Sequence, residues 1–265
     1  MTGPGVIGNR KDDHVRYAVD QHRHGAGSND FDSVAFVHHA LAGIDRAQVN
    51  LAIEIAGRRW ATPLYINAMT GGSDRTGVIN RELAIAAAAT GLPIASGSMS
   101  AYLCDATVAD TYRVLRTENP HGFVMANVNA NTTGDQARCA VDLLEANALQ
   151  IHLNAVQEIV MGGVAGVFLT ILLDQGTETL IATIGGWLDQ LTSIMTVLGA
   201  VTPHALTGCD LLLTGAVETY CRATGIDPYG YAHRSLSPAA NATGSAGPPT
   251  PPAPPEQRGA ATRKW

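Results

Sequence analysis

The side chains best suited to chemistry gather at Ala148–Glu158, ALQIHLNAVQE. Along a strand the side chains alternate between faces, so Leu149, Ile151 and Leu153 form one row and Gln150, His152 and Asn154 the other. The apolar row suits a sheet face covered by helices. Two amides and an imidazole on the opposite face are costly to bury unless a partner hydrogen-bonds them. Gln157 and Glu158 follow just past the strand end, where α/β proteins place reacting groups. This stretch reads as one wall of an active site. Val160-Met161 then runs into Gly162-Gly163-Val164-Ala165-Gly166, with no room for the helix that such a strand needs next.

Other segments end in the same way. Asn67-Ala68-Met69-Thr70-Gly71-Gly72, Gly97-Ser98-Met99-Ser100 and Ala126-Asn127 each put small or amide residues where an apolar strand stops. One such end is an ordinary turn. Four in succession favour a shared ligand, because small residues admit a flat ring close to the backbone and amides read its edge. Arg10, Lys11 and His14 make a cationic knot in an acidic chain. As a solvated charge run they mean nothing; as an arm folded over the site they would hold a phosphate or diphosphate. Glu158 is either structural or a hard-metal ligand, a lone carboxylate suiting Mg²⁺ that is shared with substrate phosphates. Gly162–Gly166 is either a close-packed turn or a cradle of backbone N–H groups for a phosphate.

The elements that must position these residues follow a strand–helix rhythm. Residues 1–30 are polar and Gly-rich and read as an irregular arm. Val49–Ile55 alternates like a small antiparallel strand ahead of the main fold. Leu64–Met69, Ile94–Ser100, Phe123–Val128 and the Gln150 segment read as four strands. Between them the spacing predicts helices from Ser73 or Asp74 to Thr90, at Val108–Thr117 and at Asp135–Ala146. Repeated βα units imply a parallel sheet, and the (β/α)8 barrel is its commonest large form. The expected division is an arm at 1–30, the N-terminal half of a barrel at 31–161, its C-terminal end at 162–234, and a disordered Pro/Ala-rich tail at 235–265. Within the third part, apolar residues from Leu180 to Leu198 recur at helical spacing, and a last helix is expected near Val217–Ala223.

Composition narrows the class of function. Hydrophobic residues at 46% against 15% charged provide for a sizeable core, and a net charge of −6 without a basic stripe argues against nucleic acid. Four scattered cysteines suggest neither a disulfide framework nor a zinc site. The longest apolar run, Val164–Leu173, is shorter than the ~20 residues of a membrane span. The expectation is a cytoplasmic enzyme with no membrane partner.

The motifs RKDDHVRYAV, FDSVAFVHHALAGID, YINAMTGGSDRTGVIN, ASGSMSAYLCD, ENPHGFVMANVNA and LQIHLNAVQEIVM resemble, in this order, those of type 2 isopentenyl-diphosphate isomerase, the FMN-dependent form. The resemblance covers about Arg10–Met161 and resumes over Gly163–Asp227. It implies a (β/α)8 TIM barrel that binds FMN at its mouth and reduces it with NADPH. The implied reaction interconverts isopentenyl and dimethylallyl diphosphate with Mg²⁺. By that resemblance Arg10, Lys11 and His14 grip the diphosphate, while Ala68, Met69, Thr70, Ser98 and Asn127 line the flavin. Ala165-Gly166 meets the FMN phosphate, and Glu158 holds Mg²⁺. His152, Asn154 and Gln157 do the chemistry, with Gln157 also at the substrate. A homo-oligomer is expected.

The same resemblance exposes a gap. After QEIVM, family members continue with PEGDR and several βα units that have no counterpart here. The expected fold is therefore an incomplete barrel, about strands 1–4 plus the end of strand 8. Three outcomes stay open: a working isomerase, with two half barrels pairing; a non-catalytic truncated remnant; or another FMN barrel enzyme such as a hydroxyacid oxidase, which the NAMTGG and QIHLNAVQE motifs disfavour.

Overall fold

The computed structural model describes residues 4–24, 30–38, 41, 43–55, 57–67, 70–153 and 166–236. The chain opens with helix α1 (Pro4–Arg23), then β1 (Val34–Phe36) and a hairpin of β2 (Ile53–Ile55) and β3 (Arg58–Trp60). Helix α2 (Asp74–Thr90) leads to β4 (Ile94–Ser98), a short α3 (Ser100–Cys104) and α4 (Asp110–Thr117). β5 (Val124–Asn129), α5 (Gly134–Leu144) and β6 (Ala148–His152) follow. Beyond them come α6 (Gly166–Gln175), α7 (Thr177–Leu198), β7 (Leu211–Leu213), α8 (Gly215–Ala223) and α9 (Pro228–Ala232).

The centre is a parallel sheet in the order β4-β5-β6, its strands joined by helical crossovers. The expected first strand contributes a single parallel bridge, Ile66 to Ile94. Strand alternation divides the core in two. Ile94, Val124, Ala126 and Val128 face the helices and pack with Ile79, Leu83, Tyr112, Leu115, Ala140 and Leu144. Ala95 and Met125 face the other way and pack with Trp60 of the hairpin. Full burial of each large aliphatic side chain contributes about 1.5–3 kcal/mol, so the helix side of the sheet dominates stability.

Local chemistry sets the helix ends as expected. Ser73 caps α2 in a reciprocal box with Thr76, and Gly91 closes it at φ 70°, the left-handed region where only glycine is unstrained. Thr133 and Gln136 form the equivalent box on α5.

Several expectations need correction. Residues 4–23 of the supposed irregular arm form a helix. Val15, Ala18 and Val19, at i, i+3 and i+4, are buried against the core that includes Leu169 and Leu172 of α6. That short apolar stripe was hidden among glycines and charges. From Gly166 the apolar run is the helix α6, and β7 further on pairs antiparallel with β1. The row Leu149, Ile151 and Leu153 was expected under helices but is largely exposed, at 37%, 56% and 80%. β6 is the last strand in the sheet order, and the next described helix, α6, packs on α1 and α7. Order also extends into the expected tail: Asp210 accepts hydrogen bonds from the N–H and the hydroxyl of Ser235 at 2.8 Å each. The rest of the Pro-rich tail, 237–265, lies outside the described residues. Among the described residues no helix is long and apolar enough to cross a membrane.

Candidate functional site

The C-terminal ends of the parallel strands lie side by side, and their polar side chains meet there. β5 and β6 pair in register, setting Asn127 opposite Gln150 and Asn129 opposite His152. Asn127 Nδ2 donates to Gln150 Oε1 at 2.7 Å, and its Oδ1 lies 2.9 Å from His152 Nδ1. Gln150 Nε2 reaches across to Asn67 Oδ1 at 3.2 Å, in the chain leading to the Thr70 turn. On the neighbouring side Ser98 Oγ and Ser100 Oγ are 2.9 Å apart, and Asn129 Nδ2 donates to Ser100 Oγ at 3.0 Å. Two hydrogen-bonded polar groups thus lie across the strand ends, Asn67–Gln150–Asn127–His152 and Ser98–Ser100–Asn129, with Asn127 only 2% exposed.

The backbone beneath this row is held from behind. Thr70 Oγ1 donates to Asn80 Oδ1 at 2.5 Å, and Asn80 Nδ2 donates to Thr70 O and Thr111 O at 3.3 and 2.8 Å. Gly97 N–H donates to Thr70 O at 3.0 Å. A Cβ at Gly97 would stand 2.3 Å from that oxygen, so only glycine permits the approach. Tyr112, wholly buried, donates its hydroxyl to Ser98 O at 2.9 Å. Burial pushes its phenol well above the usual range.

Of the residues read as site residues, Thr70, Ser98, Asn127 and His152 come together here. Thr70 and Asn127 have their polar side-chain atoms engaged by the protein. Ser98 Oγ, both amide atoms of Gln150 and Nδ1 of His152 are engaged in the same way. Arg10, Lys11 and His14 fall within α1, but their side chains lie outside the described residues, as do Ala68, Met69, Asn154, Gln157, Glu158 and Ala165. Gly166 begins α6. Asp12, of the same RKDDH stretch, accepts a hydrogen bond from Ser73 Oγ at 2.6 Å, which brings α1 to the turn after Gly71-Gly72. Among the described residues no group of three or more His, Cys, Asp or Glu could hold a metal. A cavity of about 280 Å³ lies apart from the strand ends, lined by Val15, Arg16, Arg23, Arg75 and Leu173 among others. Sequence reasoning did not single out Asn80, Asn129 or Tyr112; for Asn80 and Tyr112 the only signal is a polar residue on the apolar face of a helix.

No family model matches the chain. It is 44% identical over 347 residues to a protein of Nocardia farcinica, an alignment that covers 86% of this chain and 96% of that one. It is 40% identical over 357 residues to a protein of Streptomyces sp. strain CL190, covering 89% and 98%. Over 156 residues it is 44% identical to a protein of Latilactobacillus sakei, covering 59% of this chain and 44% of that one. Each of the three is named isopentenyl-diphosphate delta-isomerase. The two long alignments exceed the 265 residues of the chain, so each spans residues of the relative that have no counterpart in this chain.

Proposed function

The chain belongs to the isopentenyl-diphosphate delta-isomerase family, and from this we propose that its strand-end row is one wall of a site that interconverts isopentenyl and dimethylallyl diphosphate. The observation that carries the reading is the hydrogen-bonded row Asn67–Gln150–Asn127–His152 at the ends of parallel strands. Those amides, with glycine at 97 and the Gly71-Gly72 turn nearby, fit the edge of a flat ring such as FMN, which NADPH would reduce.

Arg10, Lys11 and His14 would grip the diphosphate; the Asp12–Ser73 bond supports this, since it ties their helix to the Gly71-Gly72 turn. Glu158 would share Mg²⁺ with diphosphate oxygens, the donor set that this cation favours. Ala68, Met69, Thr70, Ser98 and Asn127 would shape the flavin wall, with Ala165 and Gly166 at its phosphate. His152, Asn154 and Gln157 would orient the prenyl carbons and move the proton. When bound, FMN supplies a reduced ring beside the prenyl double bond, and Mg²⁺ offsets the diphosphate charge. Four free cysteines accord with a cytoplasmic setting.

A second reading is a non-catalytic remnant of this enzyme, an incomplete barrel after loss of internal βα units. Two observations favour it: the exposed row of β6, and relatives' residues without a counterpart here. Pairing of two copies would be one route back to a closed site. Titration with FMN, followed by quenching of flavin fluorescence, separates the readings. Saturable one-to-one binding at micromolar concentration, with isomer formation above a no-enzyme blank given NADPH and Mg²⁺, supports the isomerase. Lack of saturation and of turnover would leave the remnant.

A further inference from the structure

The cavity of about 280 Å³ opens where α1, α2 and α6 meet, and the isomerase reading makes no use of it. Its floor is apolar. Val15 and Val19 of α1 are buried members of the main core, and Leu173 of α6 lies beside them. The packing that docks α1 therefore also fixes this floor. The rim carries the guanidinium groups of Arg16, Arg23 and Arg75 and the carboxylate of Asp20, a cationic excess in a chain of net charge −6. Arg16 Nη2 pairs with Asp13 at 2.9 Å, with its guanidinium over the ring of Tyr17, and Arg23 Nη2 pairs with Asp174. Each of these bonds occupies one nitrogen of a planar fork with five N–H donors. Among the described residues Arg75 has no hydrogen-bond or ion-pair partner, and the Asp20 carboxylate has none either.

We propose that this cavity binds a small organic phosphate, with its oxygens on Arg75, Arg16 and Arg23 and its carbons on Val15, Val19 and Leu173. A phosphate monoester brings three oxygens and about two negative charges, which suits several guanidinium forks better than one. Arg75 supplies the anchor because no protein carboxylate competes for it. Arg16 and Arg23 can share their remaining donors, since exposed ion pairs such as theirs are weak and yield to a second anion. Asp20 opposes part of the incoming charge and keeps the affinity modest. The apolar floor gives an organic phosphate its advantage over the inorganic ion, because its carbons leave water there. The proposal is independent of the isomerase reading: Arg10, Lys11 and His14, assigned to the substrate, are not among the residues that line the cavity.

The test is a titration of the full chain with n-butyl phosphate, followed by methyl NMR at Val15, Val19 and Leu173. Saturable shifts at these methyls are expected, with inorganic phosphate binding about fivefold more weakly. Arg75→Gln, at an exposed position, should weaken n-butyl phosphate about fivefold. Asp20→Asn should strengthen it about threefold by removing the opposing charge. The double variant Arg10→Gln, Lys11→Gln should leave the methyl shifts in place. Their loss in that variant would put the phosphate on the cations assigned to the substrate and overturn the proposal. Equal affinity for the two phosphates would mean that surface cations alone attract them, which also overturns it. Absence of saturation, or an affinity unchanged by Arg75→Gln, would do the same. Failure of isomer formation would remove the isomerase reading and leave this site standing, since none of these readouts depends on turnover.

Discussion

At Asn80 one buried amide joins two loops, accepting from the Thr70 hydroxyl and donating to the carbonyls of Thr70 and Thr111. Replacing it with leucine keeps the volume but removes the acceptor of the Thr70 hydroxyl and one donor from each carbonyl, Thr70 O keeping the Gly97 N–H. Asn80→Leu should cost about 2 kcal/mol in urea unfolding and weaken the proposed FMN binding, although the side chain sits behind the strand-end row. Tyr112 works in the same way on Ser98. Loss of its single hydrogen bond in Tyr112→Phe should cost about 1 kcal/mol. Its phenol is raised by burial, so the folded state favours the neutral form. That contribution is full below the unfolded value near pH ~10 and is lost progressively as pH rises above it. The alkaline arm of a stability–pH curve should therefore be shallower in Tyr112→Phe; matching arms would contradict the assignment. Neither residue stands out in sequence, where a lone Asn or Tyr on an apolar helix face has no spacing to mark it.

The loops opposite the strand ends converge on a single side chain of α4. The Arg116 guanidinium donates to the carbonyls of Asn119, Pro120, Gly122, Leu144 and Glu145 and to Asn147 Oδ1. Burial lowers its pKa somewhat, with Glu145 opposing, and its charge is spread over these acceptors. The loops so held enter β5 and β6, and Glu145 among them takes φ 44°, uncommon for a residue with a side chain. Arg116→Met should destabilise by about 3 kcal/mol, measured by chemical denaturation, because five carbonyls, some of them part-buried, lose a charged donor together. Arg116→Lys should recover little, since an ammonium lacks the planar fork. At this scale the sequence was most informative. Ser73, Gly91 and the apolar spacing of α7 marked helix limits that the structure reproduces closely, because capping and periodicity are local properties.

Across the whole molecule the sheet is narrow. Three parallel strands with one added bridge carry the described strand ends, and β6 shows its apolar row to solvent. In a closed barrel a charge at Ile151 would be buried, at a cost of several kcal/mol; at 56% exposure it should cost within about 0.5 kcal/mol. Thermal unfolding of Ile151→Lys makes the comparison: a melting temperature close to that of the parent supports the open sheet, and a large fall would mean that this row is covered in solution. The lysine should also reduce self-association, as charges on exposed strands do in natural sheets.

By itself the sequence determined the family, through long motifs in order, and the βα rhythm with its caps and glycines, because each depends on neighbours a few residues apart. It also marked His152, Asn127, Ser98 and Thr70 as candidates for one site. Only the tertiary structure decided what joins them. Register between β5 and β6 sets Asn127 against both Gln150 and His152, and the buried Asn80 and Tyr112 lock the turns behind. It also decided that α1 is a helix docked on α6, and that the apolar row of β6 is exposed. Alternation along a strand tells which residues share a face. Whether that face is covered depends on segments distant in sequence, and no local pattern carries that information.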